Sequence, residues 1–252
     1  MGVTFLTGAS SGIGRSLARR MALAGDVVVA VARHQPLLDS LINEVAQAGG
    51  RALAISCDVT DRESVFAAVR QTEASVGPID RLIANAGGGE PTFVETFTAA
   101  HIDRVYALNV GGTANCIEAI LPSMLARRAG HIVAVSSLAA YRGVPSGAAY
   151  SAAKAALTNM LESLRIDLRP WGVDVTILFP GFVRTRESQK RRPFPMDVED
   201  ATWRMYRAII ARKRRYAFPF PLVLLTTLGQ LLPAALYDHL LAGRGRKPKP
   251  RK

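Results

Sequence analysis

Two patterns alternate through the first 180 residues. Short β-branched and aliphatic runs, "VTFL", "VVVAVA", "ALAISC", "IDRLIANA", "HIVAVSS" and "VDVTILF", are separated by stretches whose apolar positions recur at helical spacing, over 16–24, 37–48, 62–76, 99–125 and 149–168. A strand that is apolar at every position is buried on both faces, and strands alternating with helices build a covered parallel sheet. The pattern therefore predicts an α/β fold: a Rossmann-like, doubly wound parallel sheet with helices on both faces. The sequence has no repeat of solenoid length and no low-complexity tract except its tail.

After Gly181 the pattern changes. "FVRTRESQKRRPFPMDVED" is polar, charged and proline-bearing and reads as a loop with short helices, while "VEDATWRMYRAIIARKRR" has amphipathic helical spacing. Residues 217–237 then carry no charge, and Pro219, Pro221, Gly229 and Pro233 argue against one straight helix there.

Composition narrows the class. The chain has 252 residues, 49% of them hydrophobic, enough for one large α/β domain with a sizeable core. Its two cysteines, Cys57 and Cys116, form no CxxC or Cys/His cluster, so a disulfide scaffold or structural zinc site is not expected and a reducing compartment is the default. The net charge of +12 points to an anionic partner: nucleic acid, acidic lipid or a phosphorylated cofactor. The excess sits mainly in Arg212–Arg215 and in Arg244, Arg246, Lys247, Lys249, Arg251 and Lys252, so it belongs to a C-terminal appendage. That tail lacks the aromatic-interleaved basic stripe of a nucleic-acid binder, and no nucleic acid is expected. No secretory signal opens the sequence, and Leu6 stands where a myristoylation start needs Ser or Thr.

"TGASSGIG" follows the first strand and holds Thr7, Gly8, Ser10, Ser11, Gly12, Ile13 and Gly14. Glycine permits a tight turn with close backbone approach, and the following helix offers free N–H groups to a pyrophosphate. The strand–turn–helix context favours nucleotide binding over a plain connector. The second strand ends "VVVAVARHQ". An acid at its end would hold ribose hydroxyls and favour NAD; here Ala32 stands in that place and Arg33 follows, which suits a 2′-phosphate and puts NADP ahead of NAD. Arg15 would add charge. In "CDVTD", Asp58 and Val59 either flank an adenine or begin a helix as a cap. Asn85, Ala86 and Gly87, in "NAGGG", either admit a ring or ribose to the backbone or form a simple loop.

"SGAAYSAAKAAL" sets Tyr150 and Lys154 four residues apart, neighbours on one helix face. A phenol with a pKa of about 10 is a poor proton donor or acceptor at neutral pH, and a nearby ammonium would lower that value. Tyr150 could then protonate a developing alkoxide or deprotonate an alcohol, with the Ser137 hydroxyl holding the substrate oxygen. For Tyr-x3-Lys alone, helix packing with a snorkelling lysine explains the pair equally simply.

In combination, the order TGxxxGxG, NAG, Ser, YxxxK resembles the short-chain dehydrogenase/reductase family over roughly residues 3–185. The resemblance implies a sheet of about seven parallel strands, no metal, and catalytic roles for Asn109, Ser137, Tyr150 and Lys154, with Tyr150 and Lys154 also touching the cofactor. It implies that Asn109 completes a water-linked proton relay and that Pro180, Gly181, Val183 and Thr185, in "PGFVRT", approach the nicotinamide carboxamide. It further implies a homo-oligomer, dimer or tetramer, assembled through the helices over 99–125 and 149–168.

The expected organisation is an NADP-binding catalytic domain over 1–185, a substrate loop and helix over 186–216, an apolar lid or membrane-associated segment over 217–243, and a basic, disordered tail over 244–252. The apolar segment, flanked by basic residues at both ends, would be a helical hairpin or interfacial segment on an anionic cytoplasmic membrane face, or a lid or dimer arm over the active-site mouth. Either arrangement favours an apolar substrate. The sequence thus reads as an NADP-dependent oxidoreductase moving hydride between nicotinamide and a carbonyl or secondary alcohol of a lipophilic molecule, cytoplasmic or peripheral on a membrane. The competing reading is a non-catalytic NADP-binding scaffold or sensor.

Overall fold

The structure, a computed structural model, describes residues 2–185 and 193–245. The apolar runs become strands β1 (Val3–Thr7), β2 (Val27–Ala32), β3 (Arg51–Ser56), β4 (Arg81–Ala84), β5 (Gly130–Val135) and β6 (Val173–Pro180). Between them lie helices α1 (Gly12–Leu23), α2 (Gln35–Gln47), α3 (Arg62–Val76), α4 (Ala99–Tyr106), α5 (Gly112–Arg127) and α6 (Ala148–Leu168). Beyond β6 follow the short strands β7 (Val183–Arg184) and β8 (Met196–Asp197), then α7 (Val198–Ile210), β9 (Arg215–Phe218), α8 (Phe220–Leu231) and α9 (Ala234–Leu241).

Seven strands form one sheet in the order β3-β2-β1-β4-β5-β6-β9, with every neighbouring pair parallel. The period-two alternation of each strand divides the core. Phe5, Val29, Leu82, Ile132 and Ile177 face one layer with α3, α5 and α6, while Leu6, Val28, Ile83, Val133 and Leu178 face the other with α1, α2 and α7. Strand order reverses between β1 and β4. In open α/β sheets the crevice at the carboxyl ends of such a pair is where ligands bind.

Two elements differ from the sequence pattern. The helix expected over 99–125 is divided: α4 and α5 are joined by a π-helical segment, Ala107–Gly111. Apolar spacing runs on through the break, so the pattern does not reveal it. Two contacts accompany it: Asn109 Nδ2 donates to the Val105 carbonyl at 2.8 Å, and Gly112 packs so closely that a Cβ there would lie 2.6 Å from Val59 Cγ2. The uncharged segment over 217–237 is not one unit either. Its first residues complete β9, which pairs with β6 from Ile177↔Arg215 to Pro180↔Phe218 and straddles the expected boundary at 216.

Helix α7 likewise covers the sheet. It buries Ala201, Met205, Ala208 and Ile209, and Ser16 of α1 donates to Glu199 at 2.8 Å. Among the described residues no helix is long and apolar enough to cross a membrane. The loop over 186–192 and the tail over 246–252 lie outside the described residues.

Candidate functional site

The turn after β1 is built for close approach. Gly8 and Gly12 have φ of +67° and +52°, and a Cβ on Gly14 would lie 2.0 Å from the Gly8 carbonyl oxygen. Ser11, the extended residue before α1, makes no side-chain cap, so the leading N–H groups of a 12-residue helix are left for a ligand. This bare, uncapped cradle fits the pyrophosphate of a dinucleotide. Ser10 and Ile13 are half-buried within it. Thr185 closes one side: its Cγ2 would be 3.2 Å from a Cβ at Gly12, which brings the segment of Pro180, Gly181, Val183 and Thr185 toward the glycine turn.

Thr7 and Asn85 hold the crevice together rather than face it. The buried Thr7 Oγ1 accepts from the N–H groups of Asn85 and Ala86 at 3.1 and 3.0 Å, and Asn85 Nδ2 donates to the carbonyls of Thr7 and Gly8. These bonds tie β1 to β4 where the strand order reverses. Arg15 is held within the fold. Its guanidinium bonds Leu37, Ser40 and Glu44, the last at 2.8 Å, so the charge expected beside the turn is matched within the fold.

At the end of β2 the Arg33 side chain is 77% exposed, and its ion-pair partner, Asp58, is 3.8 Å away. Asp58 Oδ1 accepts from Thr60 N and Oγ1 at 2.9 and 2.8 Å. These Thr60 bonds, with Arg33 assisting, hold its carboxyl below the usual range against the opposing effect of burial. The cap of α3 is Asp61, not Asp58. Val59 is buried against Gly112, and its carbonyl accepts from Asn115 Nδ2 at 2.9 Å.

Tyr150 lies in the first turn of α6 and Lys154 one turn on. Ser137 caps the 3₁₀ turn after β5, accepting from Ala139 N at 3.1 Å, and its hydroxyl is near enough to the Tyr150 phenol to favour the ionised form. Ser136 points elsewhere, to Thr158 Oγ1 at 2.8 Å and to the Lys154 carbonyl. Lys154 is 3% exposed; its ammonium donates to the Val135 carbonyl at 2.7 Å and sits 5.8 Å from the Tyr150 ring centre. The sequence argument expected this ammonium to lower the phenol pKa. In the structure the opposite direction prevails: desolvation pushes the Tyr150 pKa up, opposed only by the Ser137 hydroxyl. Burial also pushes the lysine down to about 8.

Asn109 grips the glycine loop after β4, accepting from Gly88 N at 3.1 Å and donating to Gly88 O at 2.7 Å. Gly87 passes so close that a Cβ would lie 2.7 Å from Asn109 Oδ1 and 3.0 Å from Lys154 Nζ, and one on Gly89 would touch Tyr150 at 3.4 Å. The π segment, the glycine loop and the first turns of α6 therefore converge. The arrangement presents the Ser137 and Tyr150 hydroxyls near a buried ammonium, at the carboxyl end of the sheet.

Other contributors carried no sequence signal. Thr92 is buried; its N–H donates to the Ser146 carbonyl at 3.0 Å, and its hydroxyl accepts from Ala149 N at 3.2 Å, pinning the start of α6. Arg142 lies just beyond the Ser137 turn. It donates to the Gly229 and Leu232 carbonyls at 2.6 and 2.8 Å and stacks on Tyr237 at 3.8 Å. Tyr237 Oη donates to the Gly143 carbonyl and Gln230 Nε2 to that of Tyr141, so α8 and α9 are seated on residues 141–143. Gly181 lies under Leu222, which a Cβ there would meet at 2.6 Å. Among the described residues no group of three or more His, Cys, Asp or Glu side chains could hold a metal.

Known proteins resemble this chain in sequence and fold. The family model described as short chain dehydrogenase matches residues 2–195. An uncharacterized oxidoreductase of Myxococcus xanthus is 39% identical over 236 residues, covering 92% of this chain and 93% of that protein. A fatty acyl-CoA reductase of Acinetobacter baylyi is 33% identical over 221 residues, covering 85% of this chain and 75% of its own length. A solved short-chain dehydrogenase from Streptomyces avermitilis is 32% identical and superposes with a TM-score of 0.80, over 90% of this chain and 91% of that one.

Proposed function

The chain belongs to the short chain dehydrogenase family, an NAD(P)-dependent oxidoreductase family, and on that premise we propose that it reduces a lipophilic carbonyl with NADPH. The observation that carries this reading is the Tyr150 phenol one helical turn before the buried Lys154 ammonium, whose Nζ lies 5.8 Å from the phenol ring centre, with Ser137 at the turn after β5 beside them. The bound nicotinamide supplies the hydride, or accepts it in the reverse direction.

The protein's own groups handle the proton. Ser137 holds the carbonyl oxygen, and Tyr150 donates its hydroxyl proton to that oxygen as negative charge develops. A phenol kept above its ordinary pKa is fully protonated at neutral pH, which suits an acid working in the reductive direction. The Lys154 ammonium favours the phenolate left behind and is placed to hold a ribose hydroxyl. Asn109 maintains the shape of the Gly87–Gly88 backbone against which the ribose and ring would rest.

Preference for NADP is supported by the exposed Arg33 guanidinium after Ala32, with no acid to claim a ribose 2′-hydroxyl. A lipophilic substrate is supported by the apolar helices seated beside the Ser137 turn and by the resemblance to a reductase of fatty acyl-CoA. On this reading residues 1–185 carry cofactor and catalysis, 186–216 contact substrate, 217–243 wall the mouth, and the chain works as a homo-oligomer. Its place is the cytoplasm, including the cytoplasmic face of a membrane.

Tyr150→Phe tests the mechanism. Turnover of long-chain or cyclic carbonyls should fall about 10²–10⁴-fold, while NADPH binding, followed by its fluorescence, stays near wild type. Full activity in that variant would reject the reading.

A further inference from the structure

Helix α8 has twelve residues and not one charge. Leu222 is buried and Val223 half-buried against the body of the protein. The opposite side is no more polar: Phe220, Leu224, Leu228 and Leu231 recur at helical spacing, with Leu225 beside them, and all five are exposed, Phe220 and Leu231 by 75% and 77%. Leu236 and Leu240 of α9 are exposed as well. A helix apolar all round is normally covered on every side. Here the inner side is anchored through backbone carbonyls, and the outer side faces away from the fold.

Charge identifies the cover. After Asp238 the chain contains no acid, and six of its last nine residues are Lys or Arg. A second copy carries the same net charge of +12 and offers no complementary net charge. An anionic lipid surface complements both the exposed leucines and the basic composition of the sequence after Asp238. The geometry points to α8 and α9 as a monotopic dock for an anionic bilayer. The dock stands on its own evidence; the further consequence, that substrate enters from the lipid, rests on the lipophilic-carbonyl reading above.

The test uses the full chain with vesicles of phosphatidylcholine alone and of phosphatidylcholine with phosphatidylserine. Cosedimentation should favour the anionic vesicles about tenfold or more and weaken in high salt. The paired variant Leu224→Glu/Leu228→Glu should lose binding about tenfold, with an unchanged melting temperature and unchanged NADPH affinity. A second variant, with Gln at Arg246, Lys247, Lys249 and Arg251, should lose the preference for anionic lipid. Absence of binding to both vesicle types overturns the inference, as does full binding by the leucine pair. So does a wild-type dimer that the leucine pair converts to monomer without any lipid binding. None of these results bears on Tyr150→Phe, so failure of the dock and failure of the enzyme reading are separable.

Discussion

At the residue scale, the Tyr150–Lys154 pair is legible because four-residue spacing on a helix is a geometric statement. The direction of the phenol's pKa is not legible. It depends on what covers α6, and in the structure desolvation outweighs a lysine whose ammonium is bonded to Val135. Thr7, Asn85 and Arg15 are hidden for a related reason: their partners come from distant parts of the chain, as Glu44 does for Arg15. Two predictions belong here. Arg33→Ala should raise the KM for NADPH about tenfold, the order of one charge-assisted bond at an exposed site, and leave that for NADH nearly unchanged. Parallel steady-state kinetics with both cofactors would check it. Lys154, pushed down to about 8 by burial, loses its proton as pH rises through that value. Cofactor affinity, measured by fluorescence titration, should therefore weaken above about pH 8. This is not unfolding at Lys154: between about 8 and its ordinary 10.5 the unfolded chain binds more protons at this site, so its contribution to stability rises with pH.

Strands and most helices are legible at the element scale, because continuous apolar runs and helical spacing survive tertiary context. The divided helix is not. Its apolar spacing continues through Ala107–Gly111, and the contacts at the break, Asn109 to the Val105 carbonyl and Gly112 against Val59, leave no mark on that spacing. A π segment at a functional site commonly re-aims side chains, and here Asn109 is turned onto the glycine loop. The start of α6 depends on Thr92, one threonine in an otherwise uninformative loop. Thr92→Val removes the acceptor for Ala149 N and should lower kcat about tenfold with KM little changed. It should also cost about 1 kcal/mol, as loss of a helix cap does, and Thr92→Ser should restore both. A purely structural role would lower stability and leave kcat unchanged.

For the whole molecule, the doubly wound sheet follows from the alternation of patterns, while its final strand is split between a basic cluster and the start of an uncharged stretch that reads as lid or anchor. Phe218, 1% exposed, is part of the core although it lies beyond the expected boundary at 216. The appendage is therefore separable only after β9. A chain ending at residue 212 loses the Phe218 ring, and truncating a buried Phe costs about 3–5 kcal/mol. Its melting temperature should drop sharply, whereas a chain ending at residue 219 should melt much closer to the full protein. Thermal unfolding of the two truncations would decide this. Equal melting temperatures would mean that β9 contributes nothing to the core.

The seat of α8 and α9 has one more consequence. Gly229, Leu232, Tyr141 and Gly143 all accept through main-chain oxygens, which every residue type possesses. Given Arg142, Gln230 and Tyr237 as donors, the mounting is indifferent to most of the side chains it carries. Exchanging the outward leucines for quite different groups leaves the mount intact, so this corner of the molecule can change what it touches and keep its position beside the Ser137 turn.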